Sequence, residues 1–140
     1  MTASICALLG FTAWTIALIF IVVNYRMFPV LSGKTKANSW TRGGQSWQDA
    51  PFITRMSHAH MNCLENLPLV AAIILSAQAL GQGAVTDANN LPCILLGARI
   101  AQSTVHIIAV NHWMVMLRAV FYTVQILILI WWLLKLAQWV

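Results

Sequence analysis

Hydrophobic residues run along this chain in four long stretches, separated by shorter segments rich in polar residues, glycine and proline. The stretches cover residues 4–27, 52–80, 91–110 and 115–138, to within a few positions. A helix needs about 20 mostly apolar residues to cross the hydrocarbon core of a bilayer, and each stretch reaches that length. The pattern therefore predicts four transmembrane helices.

The segments that join these stretches differ in length. Residues 28–51 form one sizeable polar loop, whereas "GQGAVTDANNLP" joins the second and third helices and a tight turn near "VNHW" joins the third and fourth. Short connections place neighbouring helices antiparallel. We therefore predict an all-α fold, an integral membrane four-helix bundle formed by a single domain of residues 1–140.

Composition supports a membrane environment. Hydrophobic residues make up 60% of the chain and charged residues only 8%, which lies far from the make-up of soluble domains. The first stretch lacks a basic segment before it and is longer than the apolar core of a signal peptide, so we expect it to be retained as a transmembrane helix.

The distribution of basic residues predicts the orientation. The segment that leads into and forms the long loop carries Arg26, Lys34, Lys36 and Arg42, whereas the connection after the second helix carries Asp87 and no Lys or Arg. Because basic loops stay in the cytoplasm, we expect the long loop there and both termini on the opposite side. Anionic lipid headgroups account for the net charge of +5, and no nucleic-acid partner is expected.

Polar residues inside the predicted spans are the unusual feature. On the second helix, four of them fall within about 80° of one another, while His60 points to the other side. These four are Arg55, His58, Asn62 and Glu65. Ionised groups in a membrane nearly always face the interior of the bundle or an aqueous cavity. A polar stripe on this helix is therefore a candidate functional site.

The third and fourth helices carry similar stripes. Their members are Arg99, Gln102, Ser103 and His106 on the third helix, and Arg118, Tyr122 and Gln125 on the fourth. Antiparallel packing places most of these groups in the cytoplasmic half of the membrane, with Arg99 nearer the midplane. Three arginines against one glutamate favour an anionic ligand that carries carboxylates, which guanidinium groups bind in a bidentate way. Interhelical hydrogen bonds that only hold the bundle together are the alternative.

Three sequence segments resemble one known superfamily. They are "HAHMNCLENLPLV", "ARIAQSTVHIIAV" and "LRAVFYTVQ", and with the four spans and the long basic loop they resemble the membrane-associated proteins in eicosanoid and glutathione metabolism (MAPEG). The most specific part is the pattern formed by His60, Asn62, Glu65 and Pro68. The resemblance covers essentially the whole chain.

This resemblance implies a homotrimer that binds glutathione between subunits near the cytoplasmic side. It assigns glutathione contacts to Arg55, Asn62, Glu65, Arg99 and Arg26. It assigns to Arg118 the stabilisation of the glutathione thiolate, the nucleophile for conjugation or peroxide reduction. The co-substrate would be a hydrophobic electrophile or a lipid hydroperoxide that enters from the bilayer.

The chain departs from the family pattern at several positions. His106 stands where several members have a tyrosine, His58 where they have an arginine, and Met61 where one branch has an arginine. His106 remains able to donate a hydrogen bond or transfer a proton near neutral pH, and Tyr122 is a candidate to compensate for the missing tyrosine. His106 and Arg118 are therefore the catalytic candidates. His58 and Tyr122 join the residues expected to contact glutathione.

Two other functions stay open at this stage. One is a catalytically silent accessory or scaffold subunit of a larger membrane complex with the same fold. The other is a haem-binding bundle in which His58 and His106 ligate iron. No metal site is expected otherwise, since the three cysteines lack the spacing of a zinc site. The pair Trp131 and Trp132 is interpreted as part of an aromatic belt at the membrane interface.

Overall fold

The computed structural model describes residues 1–40 and 48–138, so Arg42, Trp47 and Trp139 lie outside the described residues. Within these ranges the chain is all-α, as predicted. The helices are α1 (Ala3–Leu31), α2 (Pro51–Ala79), α3 (Gly83–Asp87), α4 (Leu91–Ile108) and α5 (His112–Leu136). Four helical segments are long and apolar enough to cross a membrane: α1, α2, α5, and α4 together with the short α3 before it.

Local sequence explains where these helices begin. The side chain of Thr2 accepts a hydrogen bond from the backbone N–H of Ile5, and Asn111 accepts one from Met114 at 2.9 Å. Such caps satisfy N–H groups that have no partner within the helix. Pro51 and Pro92 lie in the first turns of α2 and α4, where the missing proline N–H costs no hydrogen bond.

Helix α1 extends beyond its predicted end at residue 27, and the connection that precedes α4 is partly helical. Helix α1 continues through Pro29 to Leu31, because proline already has a helical φ and removes only one donor so close to the end. The connection before α4 contains α3 and a 3₁₀ turn, Ala88–Asn90. Asn89 and Asn90 both have φ of 55°, a left-handed conformation that asparagine tolerates better than most residues.

The apolar core lies between the four long helices. Its largest fully buried members include Phe11, Leu18, Ile74, Leu95 and Trp132. Helix packing is tight where α1 meets α4, since a Cβ added at Gly10 would lie 2.7 Å from a Leu96 methyl group.

The interpretation of both tryptophans as an aromatic belt is wrong for Trp132. Trp131 is 44% exposed, and the Lys135 ammonium lies 4.9 Å from its ring centre, as expected of an interfacial residue. Trp132 is completely buried. Successive residues of a helix point about 100° apart, so a neighbouring pair cannot share one environment.

The two ends of the bundle have different character. The end where α1 leads towards α2 and α4 towards α5 is called the loop end, and the other is called the far end. At the far end a set of hydrogen-bonded side chains ties three helices together. This far-end cluster consists of Thr2, Ser4, Gln78, Thr86 and Asp87.

Deeper in the bundle, His60 joins α2 to α1. Its Nδ1 lies 3.1 Å from the carbonyl oxygen of Thr15, and the imidazole is buried. The expectation that His60 faces away from the polar stripe and makes an interhelical hydrogen bond is confirmed. On a different side of α2, Asn62 faces α4 and contacts Arg99 and Gln102.

Candidate functional site

A chain of hydrogen bonds links the polar stripes of α2, α4 and α5. Arg99 Nη1 donates to Asn62 Oδ1 at 2.6 Å, and Gln102 Nε2 lies 3.5 Å from the same oxygen. Gln125 Nε2 donates to Gln102 Oε1 at 3.0 Å. Members of all three stripes therefore converge at one depth of the bundle.

Arg99 lies at the inner end of this chain. Its side chain is 1% exposed, and its guanidinium carbon is 5.0 Å from the centre of the Phe11 ring. It lines none of the cavities described below, so it reaches the site through Asn62. The described ranges hold one ion pair, and Arg99 is not part of it.

An open groove of about 240 Å³ lies beside the chain and is called the polar groove. A smaller cavity of about 10 Å³, the size of one water molecule, adjoins it. The polar groove is lined by Asn62, Gln102, Val115, Arg118, Ala119 and Tyr122. The small cavity is lined by Ala59, Asn62, Gln102, Ser103, His106 and Arg118. Asn62, Gln102 and Arg118 belong to both, so the two spaces form one site.

Arg118 is the least satisfied charged group in this site. Its Nε, like that of Arg99, is buried and has no hydrogen-bond acceptor, but Arg99 donates to Asn62 whereas no guanidinium nitrogen of Arg118 pairs with a carboxylate in the described part of the chain. A buried polar group without a protein partner is rare in native structures, and a water, an ion or a ligand commonly pairs with it. Arg118 therefore presents a free cation to the polar groove.

His106 lies next to Arg118 at the loop end of the small cavity. Its ring centre is 6.2 Å from that of His58, and the two rings meet edge to face. Arg118, His58 and Arg55 are the charged or titratable neighbours close enough to act on it electrostatically. The cavity of about 10 Å³ that His106 lines is too small for a porphyrin, so this cavity does not favour a haem between these rings.

The structure places Glu65 and Arg55 away from the polar groove. Glu65 is exposed on the surface of α2 and makes no ion pair in residues 1–40 and 48–138. Arg55 donates from Nε to the carbonyl oxygen of Ile107 at 2.7 Å and lines a separate cavity of about 480 Å³ at the loop end. A single protomer thus brings together Asn62, His106, Arg118 and Tyr122 but not the full predicted set.

Arg26 is occupied by a carboxylate. Its Nε and Nη2 donate to Asp49 Oδ2 at 2.9 and 2.6 Å, while Trp40 Nε1 donates to the other oxygen at 2.9 Å. Asp49 also lines the cavity that contains Arg55. The pair ties the end of α1 to the segment that precedes α2.

Sequence reasoning did not select two glutamines that complete the site. Gln102 lines both cavities, and Gln125 holds its carbonyl oxygen. Both lie on the predicted polar stripes, so the helical periodicity that identified Arg99 and Arg118 also contains the signal for them. The carboxylate partner of Arg26 had no such signal, because Asp49 lies 23 positions away beyond a loop.

These features define a class of protein: a membrane-spanning helical bundle with a cationic groove between its helices. The model of the MAPEG family matches residues 4–138, nearly the whole chain, and the chain belongs to that family. Comparison with curated proteins and with solved structures gives no match. Membership makes the chain a multi-pass integral membrane protein, and many members of the family are glutathione transferases or peroxidases.

Proposed function

We propose that this protein is a glutathione-dependent membrane transferase or peroxidase. The observation that carries the proposal is the uncompensated guanidinium of Arg118, which faces a polar groove with the Asn62 amide and the Tyr122 hydroxyl beside it. A peptide thiol with carboxylates supplies the negative charge that this groove lacks. Family membership is consistent with glutathione as that thiol.

In this proposal Arg118 stabilises the thiolate. A cation next to a thiol favours ionisation, and the thiolate is the reactive nucleophile. His106 lines the water-sized cavity next to Arg118 and accepts the proton that leaves the sulfur, directly or through a single water. Tyr122, one helical turn from Arg118 on α5, donates a hydrogen bond to the ligand in the groove.

The chemistry needs no other group from the protein. In conjugation, a bond forms between the thiolate sulfur and an electrophilic carbon, and the leaving group departs with its electron pair. In peroxide reduction, the thiolate attacks the terminal peroxide oxygen, the O–O bond breaks, and the alkoxide leaves as an alcohol with the proton that His106 took from the sulfur. The resulting sulfenic acid then reacts with a second glutathione to give the disulfide and water.

The co-substrate in this proposal is hydrophobic and comes from the bilayer. Val115 is 45% exposed and Tyr122 is 39% exposed, so the side of the groove formed by α5 is open towards the surface of the span. An electrophile or lipid hydroperoxide dissolved in the membrane can reach the thiolate laterally through this opening.

A second copy of the chain is part of the proposal. Glu65 lies on the outer surface of α2 within a membrane-spanning helix, where an ionised carboxylate facing lipid is costly. Contact with a neighbouring protomer removes that cost, which supports a homotrimer with glutathione between subunits. Arg55 and His58 then contact the peptide at the loop end, which we place in the cytoplasm. Arg26 joins them only by exchanging Asp49 for a ligand carboxylate.

Ultraviolet absorbance of the thiolate in purified, detergent-solubilised protein tests the proposal. Wild type should show the thiolate on addition of glutathione, and Arg118→Ala should lose it. Lys135→Ala is the matched control, because Lys135 is also a cation on α5 but lies over Trp131 and away from the groove. A thiolate signal that survives in Arg118→Ala would contradict the role given to Arg118.

A non-catalytic accessory subunit is the second candidate. The observation in its favour is His106, an imidazole at the cavity where several family members have a tyrosine. In that case wild type should bind no glutathione, and purification in mild detergent should retain a second membrane protein in stoichiometric amount.

A further inference from the structure

The Asn62 amide has a defined orientation in this structure. Arginine can only donate hydrogen bonds, so the atom that contacts Arg99 at 2.6 Å must be the Asn62 oxygen. Gln102 donates to the same oxygen, and its own oxygen accepts from Gln125. Gln125 in turn is held because its Nε2 also donates to the carbonyl oxygen of Phe121 at 2.9 Å.

This arrangement leaves one polar atom of Asn62 without a partner. Its Nδ2 makes no hydrogen bond within residues 1–40 and 48–138, and it is not among the fully buried unpartnered atoms of that range. Asn62 lines both the polar groove and the small cavity. The two N–H donors of Nδ2 are therefore available to a ligand in this site.

We infer that Arg99 is a positioning residue that holds the Asn62 amide with its N–H donors towards the polar groove. The inference rests on the proposed glutathione-binding function and deepens it. Arg118 also offers only hydrogen-bond donors. The Asn62 amide and Arg118 therefore form a surface in the groove that binds acceptor oxygens. The ligand groups selected there are carbonyl or carboxylate oxygens of a peptide, and a ligand that presents N–H groups at this surface is excluded.

The variant Asn62→Asp separates this role from a structural one. The introduced carboxylate accepts hydrogen bonds from Arg99 and Gln102 at least as well as the amide does, and its charge is balanced by the guanidinium. It has no N–H to offer. We expect a melting temperature in detergent at or above that of wild type, together with at least a 10-fold increase in the Kd for glutathione. Binding within twofold of wild type would overturn the inference.

A double-mutant cycle tests whether Arg99 acts through Asn62. Arg99→Met and Asn62→Leu should each raise the Kd about 10-fold, and the double variant should be no worse than either single variant. Additive losses would overturn the inference. Because Arg99→Met removes a buried side chain from the core, Arg99→Lys serves as the second variant. It keeps one donor and should bind within about threefold of wild type.

The thiolate signal distinguishes this inference from the proposed function. At saturating glutathione the Asn62 and Arg99 variants should still form the thiolate, because Arg118 is intact. Wild-type protein that binds no glutathione would overturn both proposals. Wild-type binding with additive losses in the cycle would overturn only the role of Arg99.

Discussion

The far-end cluster and the polar groove are both polar regions inside an apolar bundle, yet they differ in how their groups are satisfied. At the far end, Asp87 accepts the backbone N–H of Ser4 at 2.7 Å, and Thr86 and Gln78 donate to the Ser4 hydroxyl at 3.2 and 3.3 Å. In the groove, Arg118 Nε and Asn62 Nδ2 have no acceptor in the part of the chain that the structure describes.

The difference separates stability from function. Groups that satisfy one another inside the protein contribute to folding and leave nothing for a ligand. Polar groups that stay unsatisfied in a membrane-embedded cleft lower the free energy of unfolding. A complementary ligand that pairs with them stabilises the folded protein. The predictions below test whether the two regions behave in these two ways.

The largest expected effect belongs to His106. Replacement by phenylalanine keeps the ring volume but removes the proton acceptor beside Arg118, and general-base catalysis contributes on the order of 100-fold. We expect kcat for conjugation to fall about 100-fold at saturating glutathione, with little change in melting temperature. His112→Phe, at the exposed start of α5, is the control. An unchanged kcat in His106→Phe would contradict the role of His106 as proton acceptor. Arg118 alone would then activate the thiol.

Replacement of Asp87 should lower stability and leave ligand binding unchanged. Asp87→Ala removes the acceptor at the start of α1 and should lower the free energy of unfolding by about 1–2 kcal/mol. Denaturant titration in detergent measures this loss. The affinity for glutathione should stay the same, and Asp87→Asn, which keeps an acceptor oxygen, should recover most of the stability. A parallel loss of affinity in Asp87→Ala would show that the two regions are coupled.

Glu65→Gln tests whether the exposed carboxylate belongs with the groove. It makes no ion pair within the described protomer, so its neutralisation should not destabilise an isolated bundle. If a neighbouring subunit and its ligand cover this face, affinity for glutathione should fall about 10-fold, equivalent to about 1.4 kcal/mol. Isothermal titration in detergent measures the change. Equal affinity would place Glu65 outside the ligand site.

The smallest expected loss among these variants belongs to Arg26→Gln. The Arg26 side chain is 30% exposed and that of Asp49 is 8% exposed, and ion pairs that keep contact with solvent contribute between about 0 and 1 kcal/mol. The melting temperature should fall by only a few degrees, and less at high salt, where the pair is screened. A marked loss of glutathione affinity would instead show that Arg26 leaves Asp49 for the ligand.

Much of this protein is determined by local sequence. The length of each apolar stretch predicts a membrane-spanning helix, and the 3.6-residue period places Asn62, Gln102, Arg118 and Gln125 on polar stripes. Both signals depend only on neighbouring positions, so they can be read without a structure. The observed bounds of the long helices lie within a few residues of the predicted ones, and the largest shift is the extension of α1 through Pro29.

Only the tertiary structure decides which member of a stripe is buried, paired or free. Helical periodicity places both Arg99 and Arg118 on polar stripes and does not distinguish them. Packing against Phe11 buries Arg99 behind Asn62, whereas Arg118 lines the groove. Asp49 and Asp87 find their partners 23 and 83 positions away. Such contacts depend on the relative rotation and depth of whole helices. Those are fixed by the packing of the entire core, which no local pattern contains.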